Sequence, residues 1–145
     1  MEKMFHMLVY RAFHAQRNYL RGYLGELGLG TGQPKLLGYL AKNGPSCQRA
    51  IADYFEIDPA AVSRMLDSLC KNGFVTRRVN EGNRRADVLE LTEKGREAHI
   101  RWKEKCAQAE QVMLRGFSDS EREQFAEFLS RAYQNFKEQA EEEPL

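Results

Sequence analysis

The sequence has few of the features that mark membrane, secreted or disulfide-stabilised proteins. No apolar run approaches the roughly 20 residues that a membrane-spanning helix requires. The first residues, MEKMFH, do not follow the basic, apolar and small-residue order of a secretory signal. Three cysteines without C-x-x-C spacing disfavour both a disulfide framework and a cysteine-ligated zinc site. We therefore expect a cytoplasmic protein that needs no cofactor or metal ion.

The composition is that of a folded domain with an uneven distribution of charge. The 145 residues, 42% hydrophobic and 30% charged, suffice for one hydrophobic core. The net charge of +1 gives no indication of a nucleic-acid partner by itself. However, residues 71–85 contain five cations and one glutamate, whereas residues 137–145 contain one cation and four glutamates. The basic middle favours a local polyanion site on an otherwise neutral body.

Apolar residues at helical spacing predict long helices at both ends of the chain. The first ends in the glycine-rich stretch 28–32, and a second follows with Thr31 as its N-cap. Towards the other end, Thr92 is expected to cap a fifth helix. Ser118 and Glu121 have the spacing of a capping box and predict the start of a sixth.

The middle of the chain predicts two short helices and a hairpin. A helix from about Gln48 to Phe55 is followed by a brief turn and another helix, with Asp58 as its N-cap. From residue 74 the apolar period changes to two, which predicts strands at 74–79 and 86–91 around a turn. The predicted fold class is therefore mainly α with a small β-hairpin wing, a winged helix-turn-helix core flanked by N- and C-terminal helices.

The helix after Asp58 has a polar face that suits a major groove. Small residues in its first turn let the helix end approach DNA without collision, and the partial positive charge of that end favours phosphate. Arg64 could donate two hydrogen bonds to a guanine edge, and Ser63 could reach a base or a phosphate. The face consists of Ala60, Ala61, Ser63, Arg64, Asp67, Ser68 and Lys71.

The predicted hairpin offers a second contact surface. Arg84 and Arg85, at a flexible loop that contains glycine, suit insertion into a narrow minor groove. Arg77 and Arg78, at the base of the hairpin, suit contacts with phosphates. A polar helix face followed by a basic hairpin predicts double-stranded DNA as the partner.

These segments resemble the MarR family of bacterial regulators over nearly the whole chain. The most specific similarity is at residues 83–95, where Arg85 precedes a strand that ends in Leu-Thr-x-x-Gly. Asn83 stands where the family usually has aspartate, and it lacks the charge that would orient a nearby arginine. The similar stretches are residues 48–52, 61–69, 73–78 and 83–95.

The resemblance implies a homodimer that binds a pseudo-palindromic operator, usually as a repressor, and that a small molecule or an oxidant releases. It divides the single domain into a winged lobe at about 31–92 and dimerisation helices at about 1–28 and 93–140. Apolar stripes on the first, fifth and sixth helices, larger than a small winged core can cover, agree with such an interface. The predicted DNA-contacting residues are Gln48, Arg49, Ala60, Ala61, Ser63, Arg64, Ser68, Lys71, Arg77, Arg78, Asn83, Arg84 and Arg85.

Other residues have both functional and structural interpretations. His14, Arg17 and Tyr39 are assigned by position to the effector crevice that the family places near the first, second and fifth helices, although a core or surface role fits equally well. Cys47 could be a redox switch because it starts the third helix, or it could simply be a weak cap. The histidine spacing does not favour a metal site.

Two other functions compete with operator binding. A winged helix can dock on a protein without contacting nucleic acid, and the net charge near zero permits this, but the basic hairpin argues against it. An enzyme, with Cys47 as a thiol nucleophile, would need a base and a positioned cleft that no spacing in this sequence indicates.

Overall fold

The computed structural model describes residues 4–143, and the predicted fold class, mainly α with a small wing, is confirmed. The predicted helix at 1–28 and the acidic tail both extend past these limits, so residues 1–3 and 144–145 lie outside the described part. The helices are α1 (Phe5–Leu27), α2 (Gln33–Asn43), α3 (Gln48–Phe55), α4 (Pro59–Lys71), α5 (Glu93–Met113) and α6 (Asp119–Glu142), and the strands are β1 (Ser46–Cys47), β2 (Val75–Arg78) and β3 (Val88–Leu91).

Local capping explains where several helices begin. The Asp58 carboxylate accepts a hydrogen bond from Ala60 N at 3.4 Å at the start of α4. Ser118 and Glu121 form both hydrogen bonds of the predicted capping box at the start of α6. The prediction for Thr31 is wrong, because α2 begins after Gly32, whose φ of 81° lies in the left-handed region that glycine tolerates.

The sheet has three strands in the order β1-β3-β2, one more than the sequence predicted. β2 and β3 form the antiparallel hairpin, with Val75 opposite Leu91 and Arg78 opposite Val88. β1 pairs with the other edge of β3, and its two residues are too few to show an alternating pattern. The predicted strands at 74–79 and 86–91 are longer than the observed ones, since Arg84–Ala86 forms a 3₁₀ turn before β3.

The hydrophobic core lies among α2, α3, α4 and the sheet, and α1 and α5 contribute to it. Its fully buried side chains include Leu37 of α2, Ile51 of α3 and Leu66 of α4. Leu27 at the end of α1 and Ala98 in α5 belong to the same cluster. The core therefore extends beyond residues 31 and 92, and it anchors one end of each of these two long helices.

The chain divides into two compact units, Met1–Ala109 and Glu110–Leu145. The second contains the end of α5 and all of α6, and in it the rings of Phe117 and Phe125 meet edge to face with centroids 5.9 Å apart. Among the helices of residues 4–143, none is both long and apolar enough to cross a membrane.

The start of α5 packs closely on the backbone that joins α4 to β2. Thr92 Oγ1 accepts a hydrogen bond from Gly95 N at 3.1 Å, so Thr92 caps α5 as predicted. Thr92 N donates to Phe74 O at 3.1 Å. A Cβ atom on Gly95 would lie 2.1 Å from that same Phe74 oxygen. Only glycine therefore permits this contact between the two segments.

Gly95→Ala should destabilise the protein by at least about 2 kcal/mol, because the added methyl group would overlap backbone that cannot move without displacing α5. Thermal denaturation followed by circular dichroism measures the change. Gly22→Ala in α1 is the control, since nothing lies within 4 Å of the added atom. It should be neutral or stabilise by roughly 0.5 kcal/mol. Equal melting temperatures for the two variants would contradict the close-approach argument.

Candidate nucleic-acid interface

α4 presents a polar stripe to solvent opposite its buried apolar side. Helical geometry places residues separated by three or four positions on one face, and this spacing recurs along the stripe. Val62, Leu66 and Leu69 occupy the buried side. The exposed stripe consists of Ala60, Arg64, Asp67 and Lys71, with Ala61, Ser63 and Ser68 half-buried beside it.

The turn of the wing is held by hydrogen bonds, so the predicted flexible loop is corrected to an ordered turn. Asn80 N donates to Asp87 Oδ1 at 2.7 Å, and Gly82 N donates to Asn80 Oδ1 at 3.2 Å. Asn83 Oδ1 accepts a hydrogen bond from Arg85 N at 3.1 Å. A neutral amide oxygen serves for this last bond, so Asn83 orders the turn without the charge of an aspartate.

Arg84 is in the 3₁₀ turn before β3 and not at the tip of the hairpin. Its guanidinium pairs with Asp67 of α4, and the two side chains are 55% and 49% exposed. An ion pair this exposed contributes only about 0–1 kcal/mol, so a phosphate could replace Asp67 as the partner at little cost. The neighbouring Arg85 is also exposed.

Arg77 is enclosed within the lobe, which corrects the prediction that it contacts phosphate. Its side chain is 15% exposed, with Nη1 2.7 Å from Asp67 Oδ1 and Nε 3.6 Å from Asp87 Oδ2. It also donates to Gln48 Oε1 at 3.4 Å. Asp87 is 2% exposed, so the guanidinium compensates a carboxylate that has left water. Arg78, the next residue, is exposed.

The start of α3 is divided between the interior and the surface. Gln48 is 5% exposed, and its predicted DNA contact is therefore corrected to internal support of the wing. Arg49 is exposed, and with Arg85 it lines a concavity of about 170 Å³. Cys47 Sγ accepts a hydrogen bond from Ala50 N at 3.4 Å. Cys47 therefore caps α3, which agrees with the interpretation of this residue as a weak cap.

A larger concavity of about 460 Å³ is lined by residues of α1, α2 and α5 and by the loop before α2. Trp102 of α5 forms part of its wall. Arg17 and Arg21 of α1 and Lys35 of α2 also line it. Its apolar wall and three cations suit an aromatic ligand with a negative charge.

Of the three residues predicted for an effector crevice, only Arg17 lines this concavity. His14 stacks on Tyr10 along α1, with ring centroids 5.5 Å apart. Tyr39 packs against the ring of Tyr54 at 5.0 Å. His14 and Tyr39 therefore lie outside the wall of this concavity, and their assignment to an effector crevice stays a prediction. No group of three or more potential metal ligands occurs within residues 4–143.

Comparison with known proteins is consistent with this geometry. Residues 32–86 match the model of the MarR family. A curated relative, the uncharacterised HTH-type transcriptional regulator YybA of Bacillus subtilis (strain 168), is 26% identical over 112 residues, which are 77% of this chain and 75% of that protein.

Solved structures of the MarR type superpose on nearly the whole chain. The transcriptional regulator SlyA is 25% identical with a TM-score of 0.84, over 96% of this chain and 98% of that one. A MarR-family protein of Listeria monocytogenes is 24% identical with a TM-score of 0.80, over 96% of this chain and 92% of that one. The structural neighbours and the curated relative are named as transcription regulators, which agrees with the prediction that this chain is not an enzyme.

Sequence reasoning missed the two carboxylates that organise the wing. Asp67 was assigned only to the polar face of α4, and Asp87 was given no role. A signal for Asp87 existed, because alternation along the predicted strand 86–91 places it on the same face as Leu89 and Leu91, where a buried charge needs a partner. The sequence offered several arginines and no means of choosing among them.

Arg77→Met should destabilise the protein by about 3 kcal/mol, because it leaves the buried Asp87 carboxylate without a cation. Arg78→Met is the control with the same change of side chain, and it should alter stability by less than about 0.5 kcal/mol because its side chain is exposed. Urea denaturation of both variants measures the difference. Equal losses would show that Arg77 is not the residue that holds the wing.

Proposed function

We propose that this chain is a homodimeric, sequence-specific DNA-binding repressor whose affinity for its operator is lowered by a small acidic ligand. The observation that carries the DNA-binding part is the exposed stripe of α4, centred on Arg64, beside the exposed arginines of an ordered wing. Two structural relatives support it, since one was solved with 26mer DNA and the other, a variant of E. coli MarR, with operator DNA. A regulator of this kind acts where the DNA is, so a cytoplasmic location is part of the proposal.

The proposed contacts fall into three groups. Arg64 reads base edges in the major groove, with the small residues Ala60, Ala61, Ser63 and Ser68 allowing close approach. Exposed cations around this face bind phosphates, and the wing enters the minor groove. The phosphate contacts are Arg49, Lys71 and Arg78, and the wing contacts are Asn83, Arg84 and Arg85.

Arg64→Ala should reduce the preference for a selected sequence by about tenfold or more, because a bidentate base contact discriminates by about 1–3 kcal/mol. Arg78→Ala should instead weaken binding to all duplexes alike and reduce the salt dependence by about one phosphate contact. Fluorescence anisotropy of a duplex selected by the wild-type protein from a random pool, repeated at several salt concentrations, separates the two.

Wild-type binding that is absent or indifferent to salt would favour the alternative, a winged helix that docks on a protein. The assignment of roles would be wrong if Arg64→Ala weakened binding to all duplexes alike and Arg78→Ala reduced the preference for the selected sequence.

The homodimer is supported by two apolar surfaces that the single chain leaves in water. On α1, Phe5 is 75% and Val9 is 61% exposed. On α6, Phe128 is 57% and Phe136 is 79% exposed, and Tyr133 lies on the same stripe. Stripes of this size on soluble proteins usually mark interfaces, and a second copy offers an identical surface. Such a dimer would present two copies of α4 at about 34–36 Å, one turn of DNA.

Phe128→Arg should convert the protein from a dimer to a monomer of 16.8 kDa, because it places a charge in the proposed interface. Sedimentation equilibrium measures the mass. Gln134→Arg, which adds the same charge elsewhere on α6, should remain a dimer. A monomeric wild-type protein would disprove the dimer, and a dimeric Phe128→Arg would move the interface away from α6.

The proposed ligand site is the concavity lined by Trp102 and three cations. Benzoate is a suitable probe, because it pairs an apolar ring with one carboxylate, and Trp102 is the only tryptophan in the sequence. Benzoate should change Trp102 emission and weaken DNA binding, and Arg17→Gln should reduce both effects several-fold. Arg11→Gln, an exposed residue of α1 outside this wall, is the control. Equal responses of the two variants would place the ligand elsewhere.

A further inference from the structure

The segment that leaves α4 is bound at three successive carbonyl groups by Thr92, which caps α5, and by Lys94 in the first turn of α5. Lys94 Nζ donates to Asn72 O at 2.7 Å. Thr92 Oγ1 donates to Gly73 O at 2.6 Å, and Thr92 N donates to Phe74 O at 3.1 Å. We call these three hydrogen bonds the α4–α5 clamp. They join the C-terminal end of the proposed recognition helix directly to a helix of the proposed dimer.

Lys94 is the member of the clamp that joins the two helices by its side chain alone. Its ammonium group lies 4.4 Å from the centroid of the Phe74 ring as well as on the Asn72 carbonyl. Asn72 is the C-cap of α4, where the partial negative charge of the helix end attracts a cation. The side chain therefore contacts both the end of α4 and Phe74, the residue before β2.

Thr92 and Gly95 have roles in the fold that Lys94 does not share. Thr92 caps α5, and Gly95 permits the approach of α5 to Phe74. Lys94 is exposed, so its removal opens no buried cavity and leaves the Asn72 carbonyl accessible to water. A change at Lys94 should thus loosen the angle between α4 and α5 while the core remains intact.

We propose that Lys94 is a positioning residue for DNA recognition, which fixes the direction of α4 relative to α5 and thereby the separation of the two recognition helices in the dimer. This inference rests on the proposed function. If α5 belongs to the dimer, the direction of Arg64 and Lys71 towards DNA depends on how firmly α4 is attached to it. Lys94 then affects which operator spacing is bound, through α4 and without contacting a base.

The first experiment measures spacing preference. A duplex selected by the wild-type protein from a random pool is lengthened or shortened at its centre by one base pair, which rotates the half-sites by about 35° relative to each other. The wild-type protein should bind these duplexes about tenfold more weakly than the parent. Lys94→Met should lose most of this preference with little change in melting temperature, and Lys94→Arg should restore it.

Lys105→Met is the matched control for this experiment. Lys105 is also on α5, and its ammonium group lies 4.3 Å from the centroid of Tyr23 of α1, so it makes a similar contact without touching α4. This variant should keep the wild-type preference. A wild-type preference in Lys94→Met would overturn the proposal. So would a uniform loss on all duplexes with a reduced salt slope, because that result identifies Lys94 as a phosphate contact.

The second experiment needs no DNA. Spin labels on cysteines introduced at the exposed positions Lys71 and Arg101, in a chain whose three native cysteines are replaced, report the distance between α4 and α5. Labelled chains are diluted with unlabelled protein so that only distances within one chain are measured. Lys94→Met should broaden the distance distribution, and Lys105→Met should not. An unchanged width of the distance distribution in Lys94→Met would overturn the proposal, whether or not the wild-type protein selects a duplex. Failure of the wild-type protein to select any duplex would instead refute the proposed function.

Discussion

The wing keeps its place because one guanidinium is shared by two carboxylates. Arg77 of β2 lies between Asp67 of α4 and the buried Asp87 before β3, and it also donates to Gln48 of α3. Four elements therefore meet at one charged group with little access to water. Burying Asp87 without a cation would cost several kcal/mol, so a movement of the hairpin that separates Arg77 from Asp87 is unfavourable.

This arrangement decides which of the basic residues remain available to DNA. Arg77 donates from Nη1 to Asp67 and from Nη2 to Gln48 inside the lobe, whereas Arg78, Arg84 and Arg85 are exposed. Arg84 is held near α4 by Asp67, in a pair weak enough to be exchanged for a phosphate. The same carboxylate thus supports the wing through Arg77 and orients Arg84 for its proposed contact with DNA. Part of the excess positive charge between residues 71 and 85 therefore lies inside the lobe, at Arg77.

The helices assigned to dimerisation are not separate from the winged lobe. Leu27 and Ala98 share the core of the lobe, and the start of α5 is bound to the backbone that follows α4. A lobe limited to residues 31–92 would expose that core. Because α5 also supplies Trp102 to the concavity of the proposed ligand site, one helix links this concavity, the end of α4 and the proposed dimer.

The sequence by itself determined the features that depend on neighbouring residues. Asp58 and the pair Ser118 and Glu121 set helix starts through hydrogen bonds within three residues, and the change of apolar period located the hairpin. Only the tertiary structure decided which polar residues are internal. The partners of Arg77 lie 10 and 29 residues away, and Arg84 and Asp67 are 17 apart. No local pattern specifies such pairs, because they form only when packing of the core brings distant segments together.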